Sequence, residues 1–506
     1  MTEPIPDCRA ELRRAVYLLL IVLSTGVMLG RILAVDSVDK AGLEDYRLKK
    51  IPADLAQKQK TLEARGLSGE ALQKELARVE SQWQQQARLR RPFLSANDRS
   101  RWCTVRALVE DDMRVEGAAY AIDNVIQQPN WDTIDMVKHD GHLYSSKPPL
   151  LTTLMAAVYW PIHRLTGATL GTHPYEIGRA MLVLFNVVPL VIYFLLLARL
   201  IERFGTTDWG RMFALAAACF GTFLTTFAVT INNHLPAAVC AVAAVYATVR
   251  IWFDDERRLR YFVVAGAFAA LTAVNEFPAA SLLALVTMLL LWKAPRPTLL
   301  GFAPAVLLVA AAFFGTNYVA HDCLKPAYLY RSGDENWYDY TYERNGRKVE
   351  SYWKNPVGVD RGEPSRGLYA LHVLAGHHGI FSLTPIWLLS LAGIALWIWP
   401  NNDPRLRWLA AAIGVMSLAS LVFYLGQPTI NRNYGGVTCG LRWMFWFAPL
   451  WLLAMLPALD ALARRPWTRG LALVLLVFSV LSASYSTWNP WTHPWLMIYM
   501  QYLGIA

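Results

Sequence analysis

Long apolar blocks alternate along this chain with short polar connections. Two of the blocks read AVYLLLIVLSTGVMLGRILAV and MLVLFNVVPLVIYFLLLARL. At about 1.5 Å per residue, some twenty apolar residues cross the ~30 Å hydrocarbon layer of a bilayer as a helix. Blocks near 15–34, 178–199, 211–231, 235–252, 260–275, 277–292, 298–318, 381–399, 408–425, 443–459 and 470–486 predict an all-α polytopic membrane protein with eleven transmembrane helices. The first block is longer than a signal-peptide core, and no small-residue cleavage site follows it. It is therefore expected to stay as the first span. Composition agrees, with 55% of the 506 residues hydrophobic and only 17% charged.

The positive charges orient the spans. Arg9, Arg13 and Arg14 precede the first. Arg199, Arg203 and Arg211, then Arg250, Arg257, Arg258 and Arg260, then Lys293 and Arg296, then Arg405 and Arg407, and finally Arg464, Arg465 and Arg469 occupy every second connection. The intervening short connections NNHLP and NEFP carry none. A cytoplasmic N-terminus and an external C-terminus satisfy the positive-inside rule. The pattern holds only if PLLTTLMAAVYWPIHRL does not cross, so 149–165 is expected to lie in the external interface. Two long external loops follow, 36–178 and 320–380. The net charge of +10 is accounted for by this topology and does not indicate nucleic acid, for which a basic stripe interleaved with aromatics would be needed.

Within the first loop, residues 52–91 read as two polar helices broken at RGLSG. Leu72, Leu76, Val79 and Trp83 form a one-sided apolar seam that predicts a helical hairpin packed on the protein's own external face. Residues 94–148 hold the chemistry. Asp98 stands where it could cap the helix begun by Trp102, Val105 and Leu108, or serve as a general base kept ionised by Arg99, Arg101 and Arg106. Lys147, with Ser145 and Ser146 beside a helix start at KPPL, could simply snorkel to lipid headgroups or could hold a phosphate.

Asn232, Asn233, His234, Glu276, His377, His378 and Arg442 fall at the external ends of spans, where they could line one cavity with Tyr144. No cofactor is called for. A divalent ion at His377 and His378 with Asp98 or Glu276 is left open, but adjacent histidines lack the i, i+4 spacing of a helical metal site. The six cysteines show no metal spacing, and a disulfide is open among Cys103, Cys323 and Cys439. In the second loop, Asp334, Glu335, Asp339 and Glu343 stand among Tyr and Trp residues that suit sugar recognition.

DRSRW at 98–102, YSSKPPL at 144–150 and GLRWMFWFAPLW at 440–451 together resemble the GT-C superfamily of membrane glycosyltransferases. The similarity is to the branch holding the lipid A aminoarabinose transferase, the protein O-mannosyltransferases and the rhizobial lipopolysaccharide glycosyltransferases. That branch reads D-E-x-R-Y-A-E in its first loop, then K-P-P-L. Here Arg99 stands at the second acid, Trp102 at the Tyr and Thr104 at the later Glu, and a helical insertion at 36–93 precedes Asp98.

The resemblance implies a polyprenyl-phosphate sugar donor and a glycan, lipid or protein acceptor. Asp98 would be the general base of an inverting transfer, with Lys147, Arg101, Arg442 and Ser146 on the donor phosphate. In a bacterium this would take place on the periplasmic side of the inner membrane. A lipid or sugar transporter without chemistry would need charged groups midway along its spans, and few are present. A membrane scaffold presenting the 52–91 hairpin would need neither Asp98 nor Lys147.

Overall fold

The computed structural model describes residues 8–35, 43–88, 93–331, 335–486 and 489–505. It is all-α apart from two small β-hairpins. Among the described residues, six helices are long and apolar enough to cross a bilayer. These are α1 (Arg9–Ala34 of the helix Cys8–Ala34), α6 (Pro174–Phe204), α8 (His234–Trp252), α11 (Pro295–His321), α14 (Pro404–Leu425) and α17 (Pro466–Tyr485). A seventh crossing would be the pair Arg442–Ala454 and Leu456–Leu462, which meet at 43°. Pro457 sits in the first turn of the second member, where it supplies no backbone N–H to continue the first. Shorter apolar helices are α9 (Leu259–Asn275), α10 (Ala280–Lys293) and α13 (Trp387–Ile398). Gly393 lets α13 lie directly on the bend, since a Cβ there would come within 1.8 Å of the Ala454 carbonyl oxygen.

The block expected to span 211–231 is helical only as α7 (Asp208–Phe220). Residues 221–230 leave the helix as turns and one 3-10 turn, Thr226–Val229. Their polar groups are satisfied by neighbours. Asn186 donates to the carbonyls of Ala228 and Thr230 at 2.9 and 3.0 Å, and Thr226 donates to the Ala483 carbonyl at 2.7 Å.

Groups from the basic connections meet at one end of the bundle. Arg13 pairs with Glu202 at 2.6 Å and with Asp208, Arg203 with Asp254 at 2.9 Å, and Lys293 with Asp255 at 2.8 Å. Arg405 donates to the Phe253 carbonyl there at 3.3 Å.

The first-loop hairpin forms as α2 (Leu43–Glu63) and α3 (Gly69–Arg88), packed on each other. Ile51, Leu62, Leu72 and Val79 are buried in it but belong to neither of the protein's two main apolar clusters. The helices α4 (Ala96–Val109) and α5 (Pro149–Thr166) are joined by a buried pin. Arg106 Nε and Nη2 bond Glu110 at 2.8 and 2.7 Å, and the Tyr159 hydroxyl donates to the same carboxylate at 2.8 Å. Leu154, Trp160 and Leu165 of α5 stay exposed on its other side.

The two hairpins are β1 (Met136–His139) with β2 (His142–Ser145), and β3 (Thr341–Arg344) with β4 (Arg347–Glu350). Cys103, Cys323 and Cys439 are all free thiols, so the disulfide left open by the sequence is not formed. Cys103 instead donates to the Trp131 carbonyl and Cys323 to the Lys325 carbonyl.

Candidate functional site

The site begins at the N-terminus of α4. Ser95, rather than Asp98, is the cap, its hydroxyl accepting from the Asp98 backbone N–H at 3.0 Å. Asp98 is the third residue of the helix, and its carboxylate reaches back in the manner of a capping box. Oδ2 accepts from Leu94 N–H at 3.2 Å, while Oδ1 accepts from Trp102 Nε1 at 2.9 Å and Ile231 N–H at 3.0 Å. The residue is 1% exposed. Burial pushes its carboxyl up to about 6, against these donors and the Thr230 hydroxyl.

Of the three arginines near Asp98, only Arg101 faces the ends of the apolar helices. Arg99 bonds the Asp132 and Phe93 carbonyls at 2.7 and 3.2 Å, and Arg106 serves the Glu110 pin. Arg101 is a buried fork. Nη1 donates to the Asn97 backbone oxygen at 2.9 Å and to Asn97 Oδ1 at 2.6 Å, while Nη2 donates to Asn233 Oδ1 at 2.9 Å. Burial pulls Arg101 down to about 10 against the charges of Asp135, Asp98 and Glu276. Asn233 Nδ2 in turn bonds the Asn275 carbonyl at 2.7 Å and Glu276 Oε1 at 2.9 Å, and His234 Nδ1 bonds the same Glu276 oxygen. Asn233, His234 and Glu276 are thus brought together as expected, at the ends of α8 and α9.

Lys147 meets a partner that the sequence reading did not single out. Its Nζ donates to Asp135 Oδ1 at 2.9 Å, and Ser146 Oγ donates to the same oxygen at 2.8 Å. The β1–β2 hairpin creates this contact. Asp140 and Gly141 take positive φ of 46° and 85°, a tight turn pairing Met136 with Ser145. One residue beyond, Ser146 N–H bonds the Asp135 carbonyl at 3.2 Å. Ser145 Oγ lies 3.0 Å from Ser100 Oγ and fixes the hairpin to α4. Neither serine caps α5, whose cap position is Pro148.

Burial works to raise Asp135, but Lys147, the Ser146 hydroxyl and the charge of Arg101 hold it below the usual carboxylate range. Burial pulls Lys147 down to about 8 against the Asp135 charge, aided by the like charges of Arg101 and Arg442.

Arg442 donates to the Gly435 carbonyl at 2.6 Å and lies 4.5 Å from the centre of the Trp491 ring. Beyond Gly435, Tyr434 belongs to a separate aromatic cluster that takes His377 and His378 out of the group. Tyr434 stacks on His378 at 4.8 Å, and His377 stacks on His372 at 3.8 Å. Burial lowers His377 to about 4, so it is neutral. Among the described residues no group of three or more His, Cys, Asp or Glu side chains is placed to hold a metal ion. Tyr144 also turns elsewhere, packing at 4.9 Å on His321 in an apolar cluster with Trp337 and Tyr338.

The second loop covers the hairpin with groups other than the expected acids. Trp353 Nε1 donates to the Ile134 carbonyl at 2.8 Å, the Tyr340 hydroxyl to the Met136 carbonyl at 3.2 Å, and Lys138 N–H to the Trp337 carbonyl at 3.0 Å. These bonds straddle Asp135. Glu335, Asp339 and Glu343 are exposed, and Asp334 lies outside the described residues. The loop's carboxylate near the site is Asp360, which accepts from Tyr352 at 3.0 Å and Asn433 at 3.1 Å.

Beside the site, a small cavity of about 30 Å³ is walled by Phe223, Ile380, Trp387, Met444, Phe445 and Trp451. Phe445 meets the His234 ring edge-on at 6.3 Å, so an apolar slot adjoins the charged group. The chain matches no protein-family model and no curated protein.

Proposed function

We propose that this protein is a GT-C-like glycosyltransferase that moves a sugar from a polyprenyl-phosphate donor to an acceptor hydroxyl, with inversion, at the external face of its membrane. One observation carries the reading. Lys147, Arg101 and Arg442 come from three distant segments and influence one another electrostatically around a buried carboxylate, at the ends of membrane-length helices. Buried cations of one sign are costly unless an anion joins them, and a phosphate on a lipid tail supplies that anion at this depth.

In this scheme the acceptor oxygen attacks the anomeric carbon from the face opposite the phosphate. The bond to the phosphate oxygen breaks with its electron pair, and Lys147 with the two arginines holds the charge that develops. A buried carboxylate receives the acceptor proton, and the sequence pattern favours Asp98. The six long helices, the bent pair, the three shorter apolar helices and α7 would provide the eleven crossings, with the Arg13–Glu202 end cytoplasmic. In a bacterium the membrane would be the inner one and the site periplasmic.

The test is release of polyprenyl phosphate by the full chain in nanodiscs. A panel of polyprenyl-phosphate sugars is supplied with crude envelope acceptor. Release by wild type that is lost in Lys147→Ala supports the reading. Equal release by both removes Lys147 from the phosphate, and transport of the intact donor without release would favour a flippase.

A further inference from the structure

We propose that Asp135, rather than Asp98, takes the proton of the acceptor hydroxyl, and that Lys147 leaves Asp135 for the donor phosphate when the donor binds. This rests on the transferase reading above. The two carboxylates differ in what remains free. Both oxygens of Asp98 are engaged, by the Leu94 and Ile231 backbone N–H groups and the Trp102 indole N–H. Its side chain is a fixed acceptor that joins α4 to the turn before α8. On Asp135, both side-chain hydrogen bonds fall on Oδ1. Oδ2 accepts none from the described residues and is not among the sealed polar atoms of the protein, and 11% of the side chain stays open. A base must have a lone pair open to the proton it removes, and of these two carboxylates Asp135 is the more open, 8% exposed against 1% for Asp98.

The Lys147–Asp135 contact is also the one that a donor would disturb. Lys147 spends one of its three N–H donors on Asp135 Oδ1, so a phosphate oxygen within reach can engage the others and draw the ammonium and its charge toward itself. As the ammonium turns to the phosphate, Asp135 loses the charge that holds it weakly basic and becomes a better proton acceptor. Donor binding would therefore switch the base on. In the transfer itself, the acceptor oxygen bonds to the anomeric carbon and the C–O bond to phosphate breaks, its pair staying on phosphate. The hydroxyl proton passes to Asp135 Oδ2 and then to water. Phosphate leaves with one more negative charge than it brought, which tightens its hold on Lys147 in the transition state.

The experiment uses the full chain in nanodiscs with two readouts, turnover of polyprenyl-phosphate sugar and affinity for polyprenyl phosphate itself. Asp135→Asn is expected to lose ~100-fold or more in kcat while binding polyprenyl phosphate as tightly as wild type or tighter, because Lys147 is no longer shared. Lys147→Ala should lose affinity as well as rate. Retained binding also shows that Asp135→Asn is folded. Turnover by Asp135→Asn within a few-fold of wild type, or weakened phosphate binding, overturns the proposal and leaves the transferase standing. So does a loss of turnover in Asp98→Asn at an unchanged melting temperature while Asp135→Asn remains active. Failure of wild type to release polyprenyl phosphate from any donor overturns the transferase, and this role with it.

Discussion

Arg101 and Asn233 are joined at 2.9 Å although 132 residues separate them, and this contact ties the first-loop helix to the end of α8. Asn233 passes the link on to Glu276 and the Asn275 carbonyl. Replacing Arg101 by Ala leaves half-buried acceptors on both Asn97 and Asn233. The expected cost is about 2–4 kcal/mol in stability, read from thermal or denaturant unfolding in detergent. Arg101→Lys keeps the charge but not the fork, and a double-mutant cycle with Asn233→Ala should show about 1–2 kcal/mol of coupling. Additive effects would mean that the two side chains act separately.

Asp98 makes stability fall as the solution becomes less acidic. Its folded carboxyl sits at about 6, above the ordinary value of 3.8. The contribution is therefore complete below about pH 4 and is lost as pH rises through 6, on the order of 3 kcal/mol over the window. Asp98→Asn places an N–H donor against existing donors and should destabilise by about 1–3 kcal/mol. Because the variant does not titrate, the gap between wild type and variant should narrow from pH 4 to pH 7. A gap that widens over that range would contradict the assignment.

Lys147 sets an alkaline limit. Burial brings its ammonium down to about 8, so the free protein loses this charge above that pH. If Lys147 binds the donor phosphate, kcat/KM should fall about tenfold per unit above pH 8, since that parameter reports the free enzyme. Lys147→Arg, which stays charged, should lower the rate at neutral pH yet flatten the alkaline limb. An unchanged limb in Lys147→Arg would assign it to another group.

Gly435 bears on Arg442. Its φ of +89° is left-handed, and a Cβ there would sit 3.1 Å from Arg442 Nε. Gly435→Ala should cost about 1 kcal/mol in backbone strain and push the guanidinium aside. Weakening of polyprenyl-phosphate binding by about tenfold is expected, equivalent to 1.4 kcal/mol. Unaltered affinity would take Arg442 away from the phosphate.

The long helices and the convergence of residues 98–101, 147 and 442 were legible because apolar block length and polar residues at block ends are local signals. Asn233, His234 and Glu276 were legible for the same reason. The role of Asp135 depends on pairing across a turn, which a search for charges near helix ends does not weigh. The signal was nonetheless present. Asp140-Gly141 between MVKH and HLYS specifies a two-residue hairpin, and its register puts Asp135 opposite Ser146. His377 and His378 share the external side in sequence, but ring stacking with Tyr434 and His372 gives them a different neighbourhood. Residues 221–230 read as membrane span because they carry no charge and continue an apolar run, yet carbonyls there accept from Asn186, which holds the chain out of the helix.

The bonds that straddle Asp135 reach across 204 and 219 residues of chain. At synthesis rates of about 5–20 residues per second, roughly 10–40 s pass between the emergence of the hairpin and the emergence of its cover. During that interval Asp135 and Lys147 lie on a hairpin tied to α4 but still lacking its cover from the second loop. A ribosome-stalled product ending before residue 340 would carry every charged group of the first loop without its cover, so under the proposed function it would be silent until the second loop closes over the first.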